Sequence, residues 1–201
     1  MIQAVIANIK DSNFDISYYS LDHLDTENND VLITYKENEG TGYCDVVTIK
    51  DHGVGIGERR LEGVLELGYS TKRNTAENFG AFGLGAKVAL STGVDFYTIE
   101  TVHNGKRFKM NCYNYKTDFI IPAFNPGLGQ SNPYITLSDG TKVYYEDAKA
   151  KNQTIISFGV KKHNRRDYRD AVEEQLMYMP NIRFKRISED GYERDEDIHP
   201  R

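Results

Sequence analysis

Alternating hydrophobic and polar positions predict several β-strands in this chain. The runs VLITY at 31–35 and CDVVTIK at 44–50 have the period of a half-buried strand, and the glycine-containing spacer between them predicts neighbouring antiparallel strands. From Val94 the pattern VDFYTIET leads through HNGK at 103–106 into RFKMNCYNY, where the Asn-Gly pair predicts a β-hairpin. The run TIISFGV at 154–160 predicts a further strand.

Helical spacing of apolar residues occurs in three other segments. These are residues 1–12 (MIQAVIANIKDS), 59–68 (RRLEGVLELG) and 167–178 (DYRDAVEEQLMY), the last of which should end before Pro180. The first helix has no cap residue before Met1, so we expect a preceding segment that the chain lacks. This order of helices and strands predicts an α+β sandwich, in which one mixed β-sheet is covered on one face by helices.

Two segments lack a clear period. Residues 122–140 contain three prolines among glycine and aspartate residues, which predicts an irregular loop. From Glu189 onward the chain has six acidic residues against two arginines. We therefore expect one domain at residues 1–188, followed by a charged, flexible tail at 189–201.

Composition and charge exclude several classes of protein. The 201 residues are 39% hydrophobic, which is enough apolar material for one core. The 25 basic and 30 acidic residues give a net charge of −5, which does not favour a nucleic-acid-binding surface over the whole chain. The two cysteines, Cys44 and Cys112, are expected to be free thiols in a reducing cytoplasm, and no apolar run is long enough to cross a membrane.

Two glycine-rich segments are the strongest candidates for a binding site. They are DHGVGIG at 51–57, directly after a predicted strand, and FGAFGLGAK at 79–87, at the start of a predicted helix. Neither has the spacing of a Walker A motif or of the Gly-x-Gly-x-x-Gly dinucleotide motif. Glycines before a helix start do place backbone N–H groups where they can bind an anion.

Together with Asn8 and Asp11 on the first predicted helix, these segments resemble the GHKL ATPase superfamily of gyrase, histidine kinases, MutL and the large heat-shock chaperones. The stretch FGAFGLGAK and the preceding GYSTKR are most similar to bacteriophage rIIA-type proteins, and MORC-type ATPases are a more distant second. The resemblance covers roughly residues 1–160. It implies a Bergerat-type sandwich with a lid over the nucleotide at residues 69–79, and it implies ATP and Mg²⁺ as ligands.

The resemblance assigns a role to each glycine segment. Asp51 would accept a hydrogen bond from the adenine amine, Gly53 and Gly55 would let the backbone pass close to the base, and Thr154 matches the family's threonine near the adenine. The second segment would hold the phosphates through its backbone, and Lys72 or Lys87 would neutralise their charge. The implied ATP-binding residues of this segment are Gly80, Phe82, Gly83, Leu84, Gly85 and Lys87, with Phe82 and Leu84 as buried spacers between the glycines.

The first helix departs from the family pattern Glu-x-x-x-Asn-x-x-Asp. Asn8 would supply an oxygen ligand to Mg²⁺, and Asp11 lies on the same helix face, but Ala4 stands where the family has its catalytic glutamate. An alanine cannot take a proton from water, so no catalytic residue is assigned and ATP hydrolysis is in doubt. A naturally degenerate ATPase and a deliberate inactivation would both give this sequence.

The expected function is therefore ATP and Mg²⁺ binding that drives a conformational or dimerisation switch, with a second copy or another protein as partner. A non-enzymatic scaffold of the same fold is one alternative. A nucleic-acid-associated module is another, because basic residues cluster at 161–169, although such a run is more often a solvated surface. The cytoplasm is the expected location, and for a phage-encoded protein that means the host cytoplasm.

Overall fold

The computed structural model divides the chain into two compact units, each with its own core. The first contains the described residues up to Gly53 and those from Ile155 onward, and the second spans Val54–Thr154. No helix in the described part of the chain is long and apolar enough to cross a membrane. The structure describes residues 31–38, 45–65, 96–115, 119–124, 128, 131–160, 165–176 and 182–196.

A mixed β-sheet forms the centre of the first unit. Its strands are β1 (Val31–Lys36), β2 (Asp45–Asp51), the part of β9 (Gln153–Val160) from Ile155 onward, β10 (Ile182–Ile187) and β11 (Glu193–Glu196), in the order β11-β10-β1-β2-β9. β1 runs parallel to β10 and antiparallel to β2, with Val31 opposite both Ile182 and Asp51. The predicted pairing of the runs at 31–35 and 44–50 is confirmed.

Alternate residues of these strands build the core of the first unit. One side chain in two along β1 is buried, as expected for a sheet with one face against the core. Val172, on the helix α2 (Arg165–Leu176), packs against this cluster. The helix begins two residues before the predicted start at 167. The buried cluster comprises Val31, Ile33, Tyr35, Val47, Val160, Ile182 and Phe184.

The second unit is built around the antiparallel strands β3 (Phe96–His103), β4 (Lys106–Tyr115) and β5 (Phe119–Phe124). The predicted β3–β4 hairpin is confirmed, because Asn104 and Gly105 have φ angles of +50° and +78° and form the turn between His103 and Lys106. β4 also pairs with the short strand β8 (Glu146–Asp147). A second hairpin joins β6 (Tyr134–Thr136) to β7 (Lys142–Tyr144).

Three local predictions need correction. The predicted helix at 59–68 is a four-residue helix α1 (Glu58–Leu61) followed by a 3₁₀ turn at Glu62–Leu65, and residues 66–68 lie outside the described residues. The predicted irregular loop at 122–140 includes the end of β5 and the whole of β6; β5 accommodates Pro122 because it is an edge strand among the described strands. The expected flexible tail contains β11, which pairs with β10 and is held by an ion pair of 2.9 Å between Lys185 and Glu193.

Candidate functional site

Asp51 is the last residue of β2, and its carboxylate is buried in the first unit, with 2% of the residue exposed. Its Oδ1 atom accepts a hydrogen bond of 2.9 Å from the backbone N–H of Gly53, so the turn after the strand fixes the side chain. A carboxylate has about four lone-pair positions, and one that accepts a backbone N–H can accept a second donor. Asp51 is therefore suited to accept a hydrogen bond from a ligand N–H group.

The glycine segment continues into the second unit as a loop, Val54–Gly57, that lies against the end of β3. Gly55 has a φ of +74°, a conformation that residues with a side chain rarely adopt. A Cβ atom at this position would lie 2.2 Å from the carbonyl oxygen of Val102. Position 55 therefore requires glycine for two independent reasons, its backbone angle and its contact with β3.

Thr101 links this loop to a second chain segment. Its hydroxyl accepts a hydrogen bond of 2.7 Å from the N–H of Ile56 and donates one of 3.1 Å to the carbonyl of Gln153. Thr101 is fully buried, and its hydroxyl is a hydrogen-bond partner of both backbone groups. Gln153 directly precedes Thr154, which is itself buried at the start of β9.

His103 holds the other end of the loop. Its Nδ1 atom lies 2.7 Å from the carbonyl oxygen of Val54, and because a carbonyl only accepts, Nδ1–H is the donor. With that proton on Nδ1, the Nε2 atom accepts a hydrogen bond of 3.2 Å from the side-chain amide of Asn104. The ring also limits position 57, where a Cβ atom would lie 3.0 Å from Nε2.

Sequence patterns did not identify Thr101 or His103 as residues of the site. Thr101 has the pattern of an ordinary strand residue, and His103 that of a residue flanking a turn. Their partners are 45 and 49 residues away in the chain, so no local motif contains both members of either pair.

The structure divides the predicted site residues into two groups. It brings Asp51 and Gly53 together in the first unit, and it places Gly55 and Thr154 in the second. No group of three or more His, Cys, Asp or Glu side chains within the described ranges could hold a metal ion. The remaining predicted site residues lie outside the described residues: Asn8, Asp11, Lys72, Gly80, Phe82, Gly83, Leu84, Gly85 and Lys87, together with Ala4 and the predicted lid at 69–79.

Cys112 is not suited to nucleophilic chemistry. It is a free cysteine in β4, directly opposite Tyr97 of β3, and it is fully buried. Burial raises the pKa of its thiol to about 11, because the thiolate would lose its hydration. The thiol is therefore protonated at neutral pH, and Cys112 acts as a small core residue.

The basic segment at 161–169 is described only in part. Arg166 projects from the first turn of α2 and lies 3.5 Å from Asp170, one helical turn further on. Such an exposed pair is worth little energy but offsets part of the local positive charge. Lys161 and Lys162 lie outside the described residues, as do the side chains of Arg165, Tyr168 and Arg169.

We expect only weak, salt-sensitive binding of DNA or RNA by this chain, lost near physiological salt. The net charge of −5 opposes the basic segment, and binding through phosphates alone weakens steeply as salt is raised. An electrophoretic mobility titration over a range of salt concentrations tests this. Sub-micromolar, sequence-dependent binding at physiological salt would contradict it and would favour the nucleic-acid-associated alternative.

Comparison with known proteins identifies the family. The family of histidine kinase-, DNA gyrase B- and HSP90-like ATPases matches residues 22–123, which is half of the chain and includes β1 to β4, β5 except its last residue, and the glycine segment after β2. The chain belongs to this ATPase family. The match begins after the first predicted helix, so it does not extend to Ala4, Asn8 or Asp11.

One of three similar solved structures, the first described here, shows the same fold at low sequence identity. The ATPase region of Saccharomyces cerevisiae topoisomerase II is 13% identical over 96% of this chain and 47% of that chain, with a TM-score of 0.50. The topoisomerase IV ATP-binding domain of Francisella tularensis is 14% identical, with 99% and 85% covered and a TM-score of 0.43. The N-terminal domain of a DNA repair protein is 14% identical, with 98% and 52% covered and a TM-score of 0.45.

The chain thus spans about half the length of two of these three structures. A search of curated proteins found no match. The family and the yeast topoisomerase II likeness confirm the predicted fold class, an α+β sandwich built on a mixed sheet.

Proposed function

We propose that this chain binds ATP through the adenine base at Asp51 and uses the bound nucleotide as a conformational or dimerisation switch. The observation that carries the proposal is the buried Asp51 carboxylate, fixed by the Gly53 N–H at the end of β2 within the region that the family matches. The exocyclic amine of adenine is a hydrogen-bond donor, and a carboxylate has only acceptor atoms to offer it. Guanine presents a carbonyl at the same position of the ring, so the proposal includes a preference for ATP over GTP.

The rest of the nucleotide site is proposed from the family resemblance. Gly80 to Lys87 would hold the phosphates and Asn8 would bind Mg²⁺, and all of these residues lie outside the described residues. Because Ala4 cannot act as a general base, we propose that ATP is bound but hydrolysed very slowly.

The more specific resemblance to bacteriophage rIIA-type proteins belongs to this proposal as well. It rests on the stretches GYSTKR and FGAFGLGAK, and it would place the protein in the cytoplasm of an infected host. A protein partner or a second copy of the chain would bind according to whether the nucleotide is bound.

Asp51→Asn is expected to weaken ATP binding by roughly 5- to 150-fold, which corresponds to about 1–3 kcal/mol for a mismatched buried hydrogen bond. The asparagine can keep the Gly53 hydrogen bond through its carbonyl, but its NH₂ then faces the donor of the adenine. For the same reason, the preference for ATP over GTP should shrink. Calorimetric titration with ATP, ADP, GTP and a non-hydrolysable ATP analogue, each with and without Mg²⁺, measures both effects.

Asp45→Asn is the matched control for this experiment. Asp45 is at the opposite end of β2, is fully buried, and accepts hydrogen bonds from the Tyr35 hydroxyl at 2.7 Å and the Asn38 N–H at 3.2 Å. Both variants remove a buried negative charge from the same strand, but only Asp51 is proposed to contact the base. Unchanged ATP affinity in a folded Asp51→Asn protein would remove the adenine assignment, and no binding of any adenine nucleotide by the unmodified chain would favour the scaffold alternative.

A further inference from the structure

Three consecutive residues at the end of β3 contact three consecutive residues of the glycine loop in reverse order. The Thr101 hydroxyl accepts a hydrogen bond from the Ile56 N–H, the Val102 carbonyl lies against Gly55, and His103 donates a hydrogen bond to the Val54 carbonyl. We propose that Thr101 and His103 are positioning residues for adenine-nucleotide binding, which hold the Val54–Gly57 loop in the conformation that admits the base. This inference rests on the proposed function, since it names residues that act on the same site through the loop.

The pattern follows from the geometry of a strand. Residues 101 and 103 are two apart, so both side chains leave β3 on the same side and reach the loop together. One of them accepts from a loop N–H and the other donates to a loop carbonyl, so the two bonds fix both the position and the direction of the loop backbone. Between them the absence of a side chain at Gly55 lets the loop approach the Val102 carbonyl.

The Thr101 hydroxyl also connects the loop to β9. It donates to the carbonyl of Gln153 while it accepts from Ile56, so its single proton and its acceptor position are both used. Gln153 is followed directly by Thr154, the threonine that the family resemblance places near the adenine. One buried hydroxyl thus sets the spacing between the glycine loop and the segment that carries Thr154.

Neither side chain needs to touch the nucleotide in order to affect its affinity. If a ligand binds only one conformation of a loop, its apparent affinity is the affinity for that conformation multiplied by the fraction of molecules that adopt it. Loss of a buried hydrogen bond of this kind lowers the equilibrium constant for the ordered loop by roughly 3- to 10-fold. Removing one bond is therefore expected to weaken ATP and ADP binding by up to about the same factor, which is reached when the ordered loop becomes the minor form.

The Thr101→Val and Thr101→Ser variants test the proposal, because valine keeps the shape of threonine without its hydroxyl and serine keeps the hydroxyl. Calorimetry should give ATP affinity roughly 3- to 10-fold weaker for Thr101→Val and unchanged within about twofold for Thr101→Ser. Amide hydrogen exchange of the nucleotide-free chain should be faster at Ile56 in Thr101→Val alone. Thr136→Val, at an exposed position of β6 in the same unit, is the control for the general effect of the substitution.

A second pair of variants covers the case in which Thr101→Val does not fold. His103 is only partly buried, and His103→Asn can still donate to the Val54 carbonyl, whereas His103→Leu cannot. We expect weaker ATP binding for the leucine variant and near-normal binding for the asparagine variant.

The outcomes separate this proposal from the one on which it rests. If the unmodified chain binds ATP and the hydroxyl-free and leucine variants bind it equally well, the positioning role is overturned and the proposed function stands. If serine fails to rescue affinity, the hydroxyl is not the cause and the positioning role is again overturned. If the unmodified chain binds no adenine nucleotide, both proposals fail, and exchange at Ile56 then reports whether Thr101 holds the loop for another purpose.

Discussion

Gly55→Ala is expected to lower the free energy of unfolding by about 2–5 kcal/mol. An alanine at a φ of +74° costs about 1–2 kcal/mol, because its Cβ crowds its own backbone. Its position 2.2 Å from the Val102 carbonyl oxygen adds an overpacking cost of about 1–3 kcal/mol, because a backbone atom of β3 has to move. Urea unfolding, with comparison of midpoints and slopes, measures the loss.

Gly140→Ala separates the two causes. Gly140 belongs to the same unit and has a φ of +85°, but a Cβ at this position would meet nothing within 4 Å. Only the backbone cost of about 1–2 kcal/mol is expected there. Equal losses in the two variants would contradict the close contact between the glycine loop and β3.

Ala4→Glu is expected to raise the rate of ATP hydrolysis by up to about 10²–10⁴-fold, the usual contribution of a general base. On the predicted first helix residue 4 lies one turn before Asn8, so a glutamate there would point to the proposed Mg²⁺ and phosphate region. Asp11 lies on the same face but further along, where the family pattern places it nearer the base than the terminal phosphate. Phosphate release at saturating ATP, from the unmodified chain and from Ala4→Glu, provides the comparison.

Gln3→Glu is the matched control for this prediction. It adds the same carboxylate about 100° around the predicted helix, where it should not reach the phosphates. Fast hydrolysis by the unmodified chain would show that another residue acts as the base and that the alignment of the first helix is wrong. An equal gain from Gln3→Glu would show that added negative charge, and not a positioned base, is responsible.

Local alternation of apolar residues was sufficient to predict most of the strands. β1, β2, β3, β4 and β9 lie where the sequence pattern places them. Along β1, and along β4 from Phe108 to Cys112, buried side chains alternate with more exposed ones. The β3–β4 turn was equally local, since Asn104 and Gly105 tolerate the positive φ angles that a two-residue turn requires. For these elements the information lies in residues that are neighbours in sequence.

The strands that the sequence did not predict depend on their partners. The predicted loop at 122–140 includes the second half of β5, from Pro122, but β5 pairs with β4 over Met110 to Tyr115, and a proline is tolerated in a strand at a sheet edge. β11 consists of charged residues, Glu193 to Glu196, and forms because β10 offers a neighbouring backbone and Lys185 an opposite charge. Pairing energy of this kind comes from a strand elsewhere in the chain, and no local pattern contains it.

The residues of the candidate site also differ in whether local sequence or the fold identifies them. The sequence predicts Asp51, Gly53 and Gly55 as site residues from a strand end followed by closely spaced glycines, whereas the contact of Gly55 with the Val102 carbonyl depends on the fold. The fold also brings Thr101 to Ile56 and His103 to Val54, which are far apart in the chain. A threonine in a strand and a histidine beside a turn have no pattern that marks such a role, since their function lies in which backbone the fold brings against them.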